Sequence, residues 1–147
     1  VRFLDRHTGA RFHLANTHLD DKSPYARRMG AALLASRLAA LDPALPRIVT
    51  GDFNVPAGDL GEPVYTTLVN GAGVVDAWTV AERRGPDYGT YTGYAPPVVG
   101  GPRIDWILVS RDIRVTAVRI DDYSEDGQYP SDHLPVEATL VIPARAT

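Results

Sequence analysis

Asp52 and Asn54 place a carboxylate and a carboxamide close together in Gly51-Asp52-Phe53-Asn54, directly after the apolar run Ile48-Val49-Thr50. Three other stretches put polar or ionisable residues at the end of a strand-like run. They are Asn16-Thr17-His18-Leu19-Asp20, Arg103-Ile104-Asp105-Trp106-Ile107-Leu108 and Ser131-Asp132-His133-Leu134-Pro135. Strand ends are where α/β sheets gather their ligands, so these stretches are expected to converge on one rim. That rim would hold three carboxylates (Asp52, Asp105, Asp132), two imidazoles (His18, His133) and the Asn54 carboxamide. Such a set suits a divalent cation such as Mg²⁺ or Mn²⁺, with a substrate phosphate completing an oxygen-rich ligand field.

Taken singly, each stretch also has a plainer reading. Asp52 and Asn54 serve equally as Asx-turn residues after a strand. His18 in isolation reads as a hydrogen-bonded core histidine, and Asp132-His133 as a loop pair capping the last strand. Asp105 differs because it lies between Ile104 and Trp106 in an apolar strand, where an unpartnered carboxylate costs several kcal/mol; this favours a functional role. His7 and His13 have no supporting neighbours and receive no role.

Other chemistries find no support. The twelfth position counted from Asp52 is Pro63 rather than Glu, which fails the calcium-loop pattern. Neither a Gly-x-Ser-x-Gly elbow nor a Gly-Lys-Ser/Thr phosphate loop is present. Tyr88, Tyr91 and Tyr94 read either as a stacking platform or as side chains packing down their own Gly/Pro-rich loop.

The elements that must position these residues follow from pattern. Val1–Leu4 and Arg11–Ala15 are predicted as strands around a turn at residues 5–9. Ser23 caps a predicted helix that opens with Pro24 and runs to about Leu41, with Leu34, Leu38 and Leu41 on one stripe. Ile48–Thr50 is a short buried strand. A second helix is predicted over Pro63–Asn70, stopped by Gly71. Residues 85–102, rich in Gly, Pro and Tyr, read as a long surface loop of the kind that is usually functional or mobile. Strands then return over 103–110, 113–120 and 134–142. The last alternates, with Leu134, Val136, Ala138, Leu140 and Ile142 on one face and Glu137 and Thr139 on the other. Strands mixed with helices, several strands late, make the fold α/β or α+β.

Composition bounds the rest. At 147 residues, 44% hydrophobic and 22% charged, the chain suffices for one packed domain and not two. A mean hydropathy of -0.15 excludes a disordered tail, and the lack of a long uncharged apolar run excludes a membrane span. Zero cysteines exclude disulfides, a thiolate zinc site and a cysteine nucleophile. A soluble protein is expected, with cytoplasmic and secreted locations both open. The net charge of -3, with Lys22 the only lysine, does not favour nucleic acid as a partner, although it stays open.

Together and in this order, the four stretches resemble the endonuclease/exonuclease/phosphatase superfamily, the deoxyribonuclease I and exonuclease III group. The resemblance runs from about residue 11 to residue 142. It implies a deoxyribonuclease I-like fold, here half or more of a two-sheet β-sandwich flanked by helices. It also implies a Mg²⁺- or Mn²⁺-dependent phosphoester hydrolase of phosphodiesterase, phosphatase or nuclease type, in which water attacks phosphorus in line. By position, Asp52 would orient or deprotonate that water and help hold the metal, with Asp132 as a metal-side carboxylate. Asn54, His18 and His133 would contact the substrate phosphate. His18 would assist the leaving group and His133 would be the acid/base candidate, its ring held by Asp105.

In that family a principal metal-binding glutamate lies in the first half of the domain. Glu62, Glu82, Glu125 and Glu137 lie in no matching context. Residues 1–147 are therefore expected to be the C-terminal part of one such domain, with the N-terminal portion apparently absent. The isolated chain is expected to self-associate or to pair with a first half. The alternative to an enzyme is a non-catalytic half-domain that binds a partner or a phosphorylated ligand.

Overall fold

In the computed structural model, residues 1–143 are described; the domain expected over 1–147 thus reaches four residues beyond them. The chain forms three layers. A five-stranded sheet in the order β1-β2-β3-β5-β4 lies between two helices on one side and a two-stranded sheet, β6-β7, on the other. The elements are β1 (Arg2–Leu4), β2 (Arg11–His18), α1 (Pro24–Ala39), β3 (Arg47–Asp52), α2 (Val64–Gly71), β4 (Val74–Asp76), α3 (Ala77–Val80), β5 (Asp105–Ser110), β6 (Arg114–Ile120) and β7 (Val136–Val141). This is the mixed α/β architecture expected from the sequence, two sheets with helices against one of them.

Sequence alternation explains the layering. Val49, Trp106 and Leu108 point to the helix side, where they pack with Ala31, Ala35 and Leu38 of α1 and Val64 and Leu68 of α2. Ile48 and Val109 point the other way, against Val115 of β6, Leu140 of β7 and Ile142 just beyond it. α1 begins as predicted: the Ser23 hydroxyl accepts the Ala26 N–H and Pro24 takes the first position, where a missing N–H costs nothing.

Several boundaries shift. Gly71 does not stop α2 but is its last residue; Gly73 takes the left-handed conformation (φ 64°) that ends the segment. The strand expected over 134–142 starts at Val136. The short β4 and α3 had no counterpart in the sequence reading; Asp76, at the end of β4, caps α3 by accepting the Trp78 N–H.

Candidate active site

β2 and β3 run further than their apolar residues suggest, to His18 and Asp52. Their last residues face the open end of the groove between the two sheets, so polar side chains are free to stand where core residues stand lower down. Pairing register then does the assembly. β2 and β3 are parallel with His18 opposite Asp52, and β3 and β5 antiparallel with Asp52 opposite Asp105. Directly opposed residues share a sheet face, so His18, Asp52 and Asp105 form a row across three neighbouring strands. Gly51 makes this approach possible, because a Cβ there would sit 2.0 Å from the Thr17 carbonyl oxygen.

His133 comes from the other sheet, in the segment leading into β7. Its Nδ1 lies 2.8 Å from Asp105 Oδ2, and its Nε2 faces Asp52 Oδ2 at 3.8 Å. On the opposite side His18 Nε2 stands 3.3 Å from the same Asp52 oxygen, with the imidazole largely exposed. Asp52 is thus flanked by both imidazoles, while its Oδ1 accepts the Asn54 N–H at 2.8 Å. Asn54 adopts φ 53°, a left-handed conformation asparagine tolerates, and its amide nitrogen donates one hydrogen to the Leu19 carbonyl. A second N–H remains on that nitrogen.

A groove of about 380 Å³ runs along the row, lined among others by Asn16, Thr50 and Leu134. Beneath it, Phe53 and Trp106 stack with centroids 4.2 Å apart and seal the site from below.

The electrostatics follow from this crowding. Burial raises the Asp52 pKa and the neighbouring Asp105 charge adds to it, outweighing the Asn54 N–H and the two histidines. Burial would lower the His133 pKa. The Asp105 hydrogen bond and the charges of Asp105, Asp52 and Asp132 overcome it and hold the imidazole above its usual value.

His18, Asp52, Asn54, Asp105 and His133 therefore come together. Asp132 sits beside them in sequence, its backbone carbonyl taken by the Thr92 and Gly93 N–H groups. Its carboxylate is not among the ligand atoms of Asp52, Asp105 and His133 that lie within 4.8 Å of one another. Two carboxylates at this spacing fit a hard divalent cation, which is commonly held by one or two carboxylates with water and substrate oxygens filling its shell. Glu62, Glu82 and Glu137 are committed to Arg27, Arg114 and Arg119.

Sequence reasoning gave no role to Asn16, Thr50 or Thr90. Thr50 Oγ1 donates to Asn16 Oδ1 on the wall of the groove, and fully buried Thr90 lies behind Asp105. Their signal exists only in three dimensions; in the sequence they are unremarkable strand and loop residues.

The chain matches the Endonuclease/Exonuclease/phosphatase family over residues 2–133. It is similar to a mannosyl-6-phosphatase of Bacteroides thetaiotaomicron, with 28% identity and a TM-score of 0.84 over 96% of this chain and 55% of that one. It is also similar to an endonuclease/exonuclease/phosphatase from Bacteroides vulgatus, with 29% identity and a TM-score of 0.82 over 97% of this chain and 54% of that one. The human Nocturnin catalytic domain shares the fold at 23% identity, with a TM-score of 0.74 over 97% of this chain and 51% of that one. This chain spans about half the length of these solved structures. Comparison with curated proteins gives no match. The family match runs from β1 to His133 and takes in every residue of the row, and the chain belongs to the Endonuclease/Exonuclease/phosphatase family.

Proposed function

We propose that the site is that of a divalent-metal-dependent phosphoester hydrolase, in which water attacks phosphorus in line. The observation that carries this reading is the Asp52–His133–Asp105 cluster: a carboxylate of raised basicity beside an imidazole that a second carboxylate holds. Asp52 orients the attacking water and takes its proton. Asn54 donates its free N–H to a phosphoryl oxygen, and His18, at the exposed end of the row, contacts the phosphate and assists the departing oxygen. His133 is the second phosphate contact and the acid/base group, and Asp105 fixes its tautomer and orientation. A bound Mg²⁺ or Mn²⁺, held at the Asp52 carboxylate beside Asp105, would neutralise charge developing on phosphorus.

The substrate class we assign is a small phosphoester. The mannosyl-6-phosphatase neighbour supports it, as does a net charge of -3 with a single lysine, which gives little attraction for a long polyanion. The loop over 85–102 is part of this reading. Tyr91 sets its ring edge-on to His133 at 5.2 Å, so the loop stands where the rest of a substrate would lie.

The test is turnover of a panel of phosphomonoesters and diesters by the full-length protein, sugar phosphates included, with Mg²⁺ or Mn²⁺ and with EDTA. Metal-dependent release of the alcohol is expected. Binding of a phosphoester without turnover under every metal condition would make the chain a binding module instead. Exchange of residues 85–102 for another family member's loop should change the preference ratio within the panel; an unchanged ratio removes the loop from substrate choice.

A further inference from the structure

We propose that Thr90 is a positioning residue, the strap that holds Asp105 and His133 in register across the two sheets. Asp105 opens β5 of the five-stranded sheet, whereas His133 lies ahead of β7 in the two-stranded sheet, 28 positions later. A 2.8 Å bond between residues on separate layers needs those layers fixed against each other at that end, since hydrogen bonds weaken steeply with misalignment.

Thr90 touches both sides. Its Oγ1 accepts the N–H of Ile104 at 3.0 Å and of Asp105 at 3.1 Å. Its carbonyl accepts the Leu134 N–H at 2.8 Å, and its own N–H donates to the Pro102 carbonyl at 3.1 Å. The residues that follow continue the strap. Tyr91 pairs with His133 as a backbone bridge, and the Thr92 and Gly93 N–H groups both donate to the Asp132 carbonyl. The residue before it closes the base of the loop. Gly89 and Gly101 pass so closely that a Cβ on Gly101 would come within 2.9 Å of the Gly89 Cα.

The hydroxyl is the part of Thr90 that holds Asp105. Valine has nearly the same shape and supplies no acceptor, so it would leave two partly buried backbone N–H groups without this acceptor and free the first residue of β5 to move. Serine keeps the acceptor. The proposal rests on the hydrolase reading only for its kinetic consequence.

Two readouts separate it from a merely structural role, both on the full-length protein. The first is the downfield proton resonance of His133 Nδ1–H, assigned by its loss in His133→Gln. It should be present in the wild type and in Thr90→Ser and absent or shifted upfield in Thr90→Val. The second is kinetic. Thr90→Val should lower kcat by about 10–100-fold, the scale of an ångström-level misplacement, with KM within about twofold, and Thr90→Ser should restore it. If Thr90→Val does not fold by circular dichroism, Thr90→Cys, a weaker acceptor at the same place, is read in its stead.

An unchanged resonance and kcat in the variant that lacks the hydroxyl would overturn the proposal, as would absence of the resonance from the wild type. Absence of turnover in every protein would defeat the hydrolase reading, while the resonance still decides the role of Thr90.

Discussion

Asp105 illustrates how one residue's surroundings set its task. It stands in an apolar strand, yet its carboxylate is met by the His133 ring rather than left alone. Asparagine at this position keeps the shape and removes the charge. We expect Asp105→Asn to lower kcat by about 10²–10⁴-fold, the range for disturbing a general acid–base pair. The pH profile gives the sign. Asp105 helps hold His133 protonated to higher pH than a free imidazole, so activity that needs the imidazolium falls as pH rises through that raised value. In Asp105→Asn the fall should come at lower pH; a limb that stays in place contradicts the assignment. At this scale the sequence was informative. The residue types and their place at strand ends singled out His18, Asp52, Asn54, Asp105, Asp132 and His133 together, and the Asp132 carboxylate is not in the Asp52–Asp105–His133 cluster. It said nothing of Thr90, whose hydroxyl matters only once residues 104 and 105 are folded beside it.

Strands and helices carry that row, and Gly51 shows how narrowly. With the Thr17 carbonyl 2.0 Å from any Cβ at this position, Gly51→Ala must push β2 away from β3. We expect a loss of about 1–3 kcal/mol or more in thermal unfolding, together with separation of His18 from Asp52. A variant of wild-type stability would mean the strands do not meet this closely.

A second element-level contact is the pair of hydrogen bonds from Arg27 of α1 to Glu62, ahead of α2, at 2.8 and 2.9 Å. Arg27 also donates to the Asp20 carbonyl, tying this pair to the segment next to His18. The Arg27 bond holds Glu62 below the usual glutamate pKa, so its contribution is full above the unfolded value and lost as pH falls through the folded one. Glu62→Gln should therefore cost about 1.5–3 kcal/mol at pH 7, and the gap from wild type should narrow as pH falls below the ordinary glutamate value. A gap that stays equal as pH falls contradicts it.

The strand cores were legible as apolar runs or alternation, α1 from its Ser23 cap and leucine stripe, and α2 from the Pro63 and Gly71 that bracket it. The ends of β2 and β3 were not, because polar residues facing a groove break the alternation that marks a strand. β4 and α3 were too short, at three and four residues, to show any period.

For the whole molecule, the three-layer arrangement leaves an apolar region open beside β1 and β7. Phe3, Leu4 and Val141 are 42, 53 and 48% exposed, and with Phe12, Leu140 and Ile142 they line a groove of about 520 Å³. Apolar surface left in water favours association. The 147-residue chain on its own should therefore sediment as more than a monomer, and a clean monomer across concentrations would contradict this. Among the described residues no helix is long and apolar enough to cross a membrane. The layering followed from the mixture of strands and helices, but the pairing order β1-β2-β3-β5-β4, which sets the row of His18, Asp52 and Asp105, is a property of the folded sheet and not of any one segment.

The central claim is that Asp52, between two imidazoles and beside Asp105, drives phosphoester hydrolysis. The most direct test is the hydrolysis of bis-p-nitrophenyl phosphate by the full-length protein, with Mg²⁺ or Mn²⁺ against EDTA, wild type beside Asp52→Ala. The account predicts turnover that needs the metal and is abolished by the substitution in a protein still folded by circular dichroism. Turnover at the wild-type rate in Asp52→Ala, or turnover indifferent to EDTA, would contradict it.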